Sequence, residues 1–132
     1  MKQIREWLYE NRKGFYAFFR VVVGLLFAQH GAQKLFGRLG GSAAAFPNFM
    51  FWIGIIEFFG GLLVAVGFLT RTAAFFSLAN MVGAQIKVHL PQGFVPIQNG
   101  GELSLMFLVS FLLILVYGAR KWSIETALWR KN

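Results

Sequence analysis

Four stretches of the chain are almost continuously apolar, from about Phe15 to Phe36, Phe49 to Leu69, Thr72 to Leu90 and Gly101 to Tyr117, while most charged residues gather between and outside them. Each stretch is near the ~20 residues that a helix needs to cross ~30 Å of hydrocarbon at ~1.5 Å per residue. A membrane barrel would instead alternate apolar and polar positions in segments of roughly ten residues, and open strands would strand unpaired backbone groups in lipid. The runs are continuous, so the pattern predicts an all-α fold. It is an integral membrane four-helix bundle, with helices over 15–36, 49–69, 72–90 and 101–117, in a single domain spanning 1–132. The connections agree: Gly37 to Asn48 carries Gly, Ser and Pro, Thr70 and Arg71 make a tight turn, and Pro91 to Gly100 is a polar loop with two prolines.

Composition explains why lipid is the solvent. Of 132 residues, 57% are hydrophobic, 14% are charged and sixteen are phenylalanine, more apolar surface than a soluble domain of this size can bury. The formal charge of +8 does not point to nucleic acid, because the basic residues sit at the ends and turns of the apolar runs instead of interleaving with aromatics. On one side lie Lys2, Arg5, Arg12, Lys13, Arg71, Arg120, Lys121, Arg130 and Lys131; on the other lie Lys34, Arg38 and Lys87. The positive-inside rule places both termini in the cytoplasm and the two longer loops outside. Arg20 is expected to snorkel back to the inner interface. Ile4, Trp7 and Leu8 at one end, and Trp122, Ile124, Leu128 and Trp129 at the other, predict short interfacial terminal segments. The first apolar run follows basic residues like a secretory signal, but Leu26 stands where a small residue would precede cleavage after Ala28, so the run reads as a retained helix. With no cysteine in the chain, disulfide, iron–sulfur and thiolate–zinc chemistry carried by it is excluded.

The topology turns scattered charges into a cluster. His30 and Lys34 lie one turn apart near the outer end of the first helix, Glu57 lies inside the second, Lys87 and His89 close the third, and Glu102 opens the fourth just after Asn99. All fall in the outer half of the bundle. Charges in a membrane must face the interior and pair, so Glu57 and Glu102 are expected opposite Lys34 and Lys87. Glu57 shares a face with Gly54, Gly61 and Val64, and Lys34 with Gly24, Phe27 and Gly31, the small-residue surfaces that let helices approach closely. On the third helix Asn80, Gly83, Ala84 and Lys87 make a similar stripe. His89 lies roughly 200° from Lys87 at ~100° per residue, so both face one point only if the regular helix ends before Pro91. The bland readings are snorkelling for the lysines and dipole complementation for Glu102. Glu57 is too deep for either. Lysines amid two histidines and two carboxylates would repel a cation, and no HxxxH or ExxH spacing exists, so a metal site fits poorly.

Several ordered strings resemble DoxX-family membrane proteins: His30-Gly31-Ala32-Gln33-Lys34-Leu35-Phe36, then Glu57 with Gly60-Gly61 and Gly67-Phe68-Leu69-Thr70-Arg71, then Asn99-Gly100-Gly101-Glu102, and a tail Trp122-Ser123-Ile124-Glu125. The resemblance covers about Phe18 to Leu128. It implies a bacterial inner-membrane four-helix bundle, associated through the family's namesake with thiosulfate:quinone oxidoreductase and membrane redox complexes. Carried onto this chain, it marks His30, Lys34, Glu57, Lys87, His89, Asn99 and Glu102 as one polar pocket.

Three functions compete. The first is a redox-linked membrane subunit that binds a quinone or similar small polar-headed molecule, with His30 and Lys34 as donors and Glu57 or Glu102 carrying protons. The second is a transporter of a small anion or weak acid, which four helices would support only as a homo-oligomer. The third is a non-catalytic adaptor whose ion pairs fix helix registration while its basic arms hold lipid or an enzyme.

Overall fold

The structure, a computed structural model, describes residues 1–129; the basic residues Arg130 and Lys131 of the tail lie outside the described residues. Among these the chain is all-α: α1 (Lys2–Phe36), α2 (Phe49–Val66), α3 (Thr70–Ala84), α4 (Pro96–Asn99), α5 (Glu102–Tyr117) and α6 (Ile124–Trp129). Helix α3 does not stop at Ala84. It runs on through a π-helical turn, Gln85–His89, and a short 3-10 turn, Leu90–Gln92. Two helices, α1 and α2, are long and apolar enough to cross a membrane by length and composition; α5 is apolar and shorter.

Packing follows the small residues. Helix α1 lies along α2, α2 also contacts α3, and α3 packs on α5. At the first seam the backbones touch: a Cβ added to Gly61 would lie 2.5 Å from the Ala28 nitrogen, and one added to Gly31 would lie 2.2 Å from the Phe58 nitrogen. No side chain fits there, so the glycines set the interhelical distance. Beside this seam Phe27, Val64, Phe107, Phe111 and Ile114 form the core, with Phe27 and Phe111 edge to face at 4.6 Å between ring centroids. Outward, Phe18, Leu26, Phe59, Phe75, Val109 and Val116 are exposed on α1, α2, α3 and α5. That surface matches hydrocarbon and not water.

Three expectations change. First, the turn between the second and third helices falls before Thr70, not at Thr70 and Arg71: Gly67 ends α2 in the left-handed region at φ 70°, and Thr70 already opens α3. Second, the first helix begins well before Phe15: the N-terminal residues form the first turns of α1, whose 35 residues form one helix through Gly14. Third, Arg20 does not snorkel. It is fully buried, and its guanidinium donates to the carbonyl oxygens of Val64 (2.5 Å) and Ala65 (2.9 Å) at the end of α2 and of Lys121 (3.1 Å) and Trp122 (2.7 Å) in the tail. Carbonyls at a helix C-terminus have no intrahelical partners and carry partial negative charge, so a buried cation there replaces water.

The same end of the bundle is tied by five further hydrogen bonds. The Tyr16 hydroxyl donates to the Gly118 carbonyl at 2.6 Å, and Arg71 donates to the Leu115 and Val116 carbonyls that end α5. The Glu125 carboxylate accepts from the Thr70 amide at 2.7 Å, capping α3, while the Ser123 hydroxyl accepts from the Thr126 amide to cap α6. The string Trp122-Ser123-Ile124-Glu125 is therefore a pair of helix caps. A Cβ on Gly67 would lie 2.3 Å from the Ser123 Cβ, so the tail docks against a bare backbone.

Candidate functional site

The opposite end of the bundle is open. A cavity of about 560 Å³ lies between α1, α2, the α3–π continuation and the start of α5. Its walls are mostly apolar: Phe27, Ile53, Met81, Leu103 and Phe107 belong to them. The polar residues that line it are His30, Lys34, Glu57, Asn80, Lys87 and His89, with Ser104 beside them.

Lys34 and Glu57 form the ion pair among the described residues, at 2.6 Å, across the α1–α2 seam. The geometry follows from the glycine seam: a Cβ on Gly54, one turn before Glu57, would lie 2.9 Å from the Lys34 Cβ. Glu57 is buried, at 4% exposure, whereas the Lys34 side chain keeps 23%. The carboxylate is thus the dependent partner. Its lysine stem can reach toward the headgroups, but among the described residues no other cation lies within ion-pair distance of Glu57.

His30 stands edge-on to Phe107, with ring centroids 5.7 Å apart, above the Phe27–Phe107–Phe111 cluster that floors the cavity. The π-turn supplies the change of angular step that a regular helix lacks, so Lys87 and His89 both reach the cavity wall. Around it, Gln85 Nε2 donates to the Gly101 carbonyl at 2.8 Å, and His89 Nδ1 lies 3.2 Å from the Asn99 carbonyl. A carbonyl only accepts, so that contact places a proton on His89 Nδ1.

Asn99 and Glu102 are not on the cavity wall. Asn99 is buried in the 93–101 loop, where its amide donates to the Gly93 carbonyl at 2.9 Å and its Oδ1 accepts from the Gly101 amide at 2.8 Å. It positions His89 instead of lining the pocket. Gly100 is left-handed at φ 73°, and a Cβ on Gly101 would lie 3.0 Å from His89 Cβ, so Asn99-Gly100-Gly101 is the loop that lets His89 in. Glu102 is exposed at the first position of α5, and among the described residues it makes no ion pair with Lys87. Its place suits an acid at a helix N-terminus.

Asn80 was visible in the sequence only as part of the α3 stripe. In the structure its Nδ2 is buried without a hydrogen-bond partner on the cavity wall. A polar residue seven before Lys87, two turns along the same helix, is the signal that marks it.

Comparison with known proteins decides the family. The sequence profile described as DoxX matches residues 15–90, more than half of the chain. A protein of Haemophilus influenzae is 34% identical over 131 residues, covering 94% of this chain and 98% of its own length. The chain belongs to the DoxX family. Two further DoxX-type relatives carry names: "Inner membrane protein YqjF" of Escherichia coli, 32% identical with 85% of this chain and 90% of that protein covered, and "Putative oxidoreductase CatD" of Bacillus subtilis, 29% identical with 80% and 81% covered. No solved structure matches the chain.

Proposed function

We propose that this DoxX-family chain is a bacterial inner-membrane protein whose cavity binds a quinone or similar small, ring-bearing molecule with a polar head, as the membrane subunit of a redox-linked complex. The observation that carries this reading is the cavity itself. Its volume of about 560 Å³ falls within the ~300–1,000 Å³ of ligand sites, and its apolar walls converge on a few polar groups that orient a ligand. His30, Lys34 and Asn80 supply donors to ring oxygens, and the phenylalanine floor takes the ring. The printed names of the E. coli and B. subtilis relatives support the membrane and the redox association respectively. The membrane arrangement belongs to the same proposal: α1, α2, α3 with its π continuation, and α5 cross the bilayer, with both termini cytoplasmic, so that the cavity opens toward the outer face.

The test is ligand-dependent stability of the protein in nanodiscs. A quinone that binds the folded state stabilises it by roughly 2.7 kcal/mol at a hundred times its dissociation constant, so the unfolding midpoint rises with menadione concentration. A midpoint unmoved by menadione or by a ubiquinone analogue overturns the ligand reading. A second reading, the adaptor, draws on the Lys34–Glu57 pair, which joins α1 to α2 and would fix their registration. Under it, replacing both residues by Met leaves cellular function intact.

A further inference from the structure

The polar groups of the cavity are unbalanced in charge. Two lysines, Lys34 and Lys87, line it against one carboxylate, Glu57, and that carboxylate is engaged by Lys34 at 2.6 Å. Lys87 sits exposed at the mouth and, among the described residues, makes no ion pair. On the same α3–π element, seven residues further in and roughly 10 Å deeper at ~1.5 Å per residue, Asn80 holds a buried amide donor with no acceptor. Glu102, the nearest other acid in sequence to this mouth, does not line the cavity.

An unpaired buried donor is costly and persists where something else satisfies it. A cation left over at the mouth of an apolar cavity likewise favours negative charge in what enters, by the modest amount of a partly hydrated pair. Both features lie on one wall, facing the Lys34–Glu57 pair. A ligand seated between them meets a donor at depth and a full positive charge at the rim.

We infer that the cavity selects ligands whose head is anionic over neutral ligands of the same shape, with Asn80 donating to a ring or head oxygen at depth and Lys87 providing the charge preference at the mouth. The ligand class is an acidic amphiphile with oxygen acceptors, such as an ionised hydroxyquinone. This rests on the cavity being a ligand site, as proposed above.

Two probes of nearly equal shape separate the inferences: lawsone, a hydroxynaphthoquinone ionised at neutral pH, and menadione, its uncharged methyl counterpart. Binding is measured by tryptophan quenching in nanodiscs of zwitterionic lipid, with empty nanodiscs correcting for partition into the bilayer. Lawsone binds the native protein more tightly by roughly fivefold, the order that one partly hydrated charge pair provides. Lys87→Gln removes that preference, so that lawsone and menadione bind the variant alike. Asn80→Leu weakens both probes by roughly tenfold, as loss of one desolvated hydrogen bond does. Equal binding of the two probes by the native protein, or a lawsone preference that survives Lys87→Gln, overturns the charge selectivity while the quinone reading stands. Failure of both probes to bind overturns the ligand reading and the selectivity with it.

Discussion

The Lys34–Glu57 pair is asymmetric, and the asymmetry can be measured. Breaking a buried pair by removing one partner costs about 3–5 kcal/mol because the other charge is left desolvated. Glu57 is at 4% exposure and cannot follow its partner out, so Lys34→Met should fall near the lower part of that range, about 3 kcal/mol. The Lys34 side chain keeps 23% exposure and a flexible stem, so Glu57→Met costs less, on the order of 1 kcal/mol, as the ammonium moves to the headgroups. The double replacement should be nearer to native than Lys34→Met alone. Denaturation of the three variants in one detergent checks the order, and equal losses in both single variants would refute the dependence of Glu57 on Lys34. Asn80 gives the opposite sign. Its buried Nδ2 lacks a partner, so Asn80→Leu should stabilise the ligand-free protein by about 1 kcal/mol while weakening ligand binding, a combination that a purely structural asparagine would not show. Charge type and position made Glu57 and Lys34 legible in the sequence. Which acid meets which lysine was not, because pairing depends on how closely the glycines let two helices approach. Asn99 and Glu102 show the converse limit: motif position put them in the pocket, but local turn and helix-start geometry uses them elsewhere.

Helices were legible because apolar runs of this length allow little else in lipid, and the close approach of α1 and α2 was written in Gly24, Gly31, Gly54 and Gly61. Two alanine variants show what that seam contributes. Gly61→Ala would place its Cβ 2.5 Å from the Ala28 nitrogen, a backbone atom that cannot step aside, so the helices must separate and the unfolding midpoint falls; Gly14→Ala meets nothing within 4 Å and gains helix propensity of up to about 1 kcal/mol. If both lowered stability alike, packing would not be what the interior glycines serve. Less legible was the role of Arg20. A lone arginine one turn inside an apolar run reads as a snorkelling cation, because sequence does not show that α2 ends beside it and that the tail folds back to offer two more carbonyls. Its planar fork serves four acceptors at once, which a lysine ammonium cannot match. Arg20→Lys should therefore release the segment from Gly118 onward before the bundle unfolds. Limited proteolysis would show cleavage near Lys121 at protease levels that spare the native protein, and an unchanged cleavage pattern would mean that Tyr16 and Glu125 suffice to hold the tail. The π-turn escaped sequence reading for a similar reason: a single widened turn leaves no periodicity of its own, and only the conflict between Lys87 and His89 hinted at it.

Length fixes how the chain can sit in a bilayer. Helix α1, with 35 residues, is about 52 Å long at ~1.5 Å per residue, against ~30 Å of hydrocarbon, so roughly 15 residues must stand outside unless the helix tilts strongly. Those residues are the first turns, exposed on all sides and carrying Lys2, Arg5, Arg12 and Lys13. Under the proposed topology this polybasic helix end meets the anionic cytoplasmic leaflet, with the capped end of the bundle, Arg20, Arg71 and the tail, on the same side. The cavity then opens at the other face, where Gly93 and its neighbours form the loop. Because the chain contains no cysteine, this arrangement can be read one residue at a time. Glu6→Cys should react with a membrane-impermeant maleimide only in inside-out vesicles, and Gln92→Cys only in intact spheroplasts. Reaction of both on the same side would require an even number of crossings between them and would remove one of the three helices α1, α2 and α3 from the membrane. Reaction of each on the opposite side from that expected would keep the four crossings but turn the cavity toward the cytoplasm, and its ligand would then have to be drawn from that compartment.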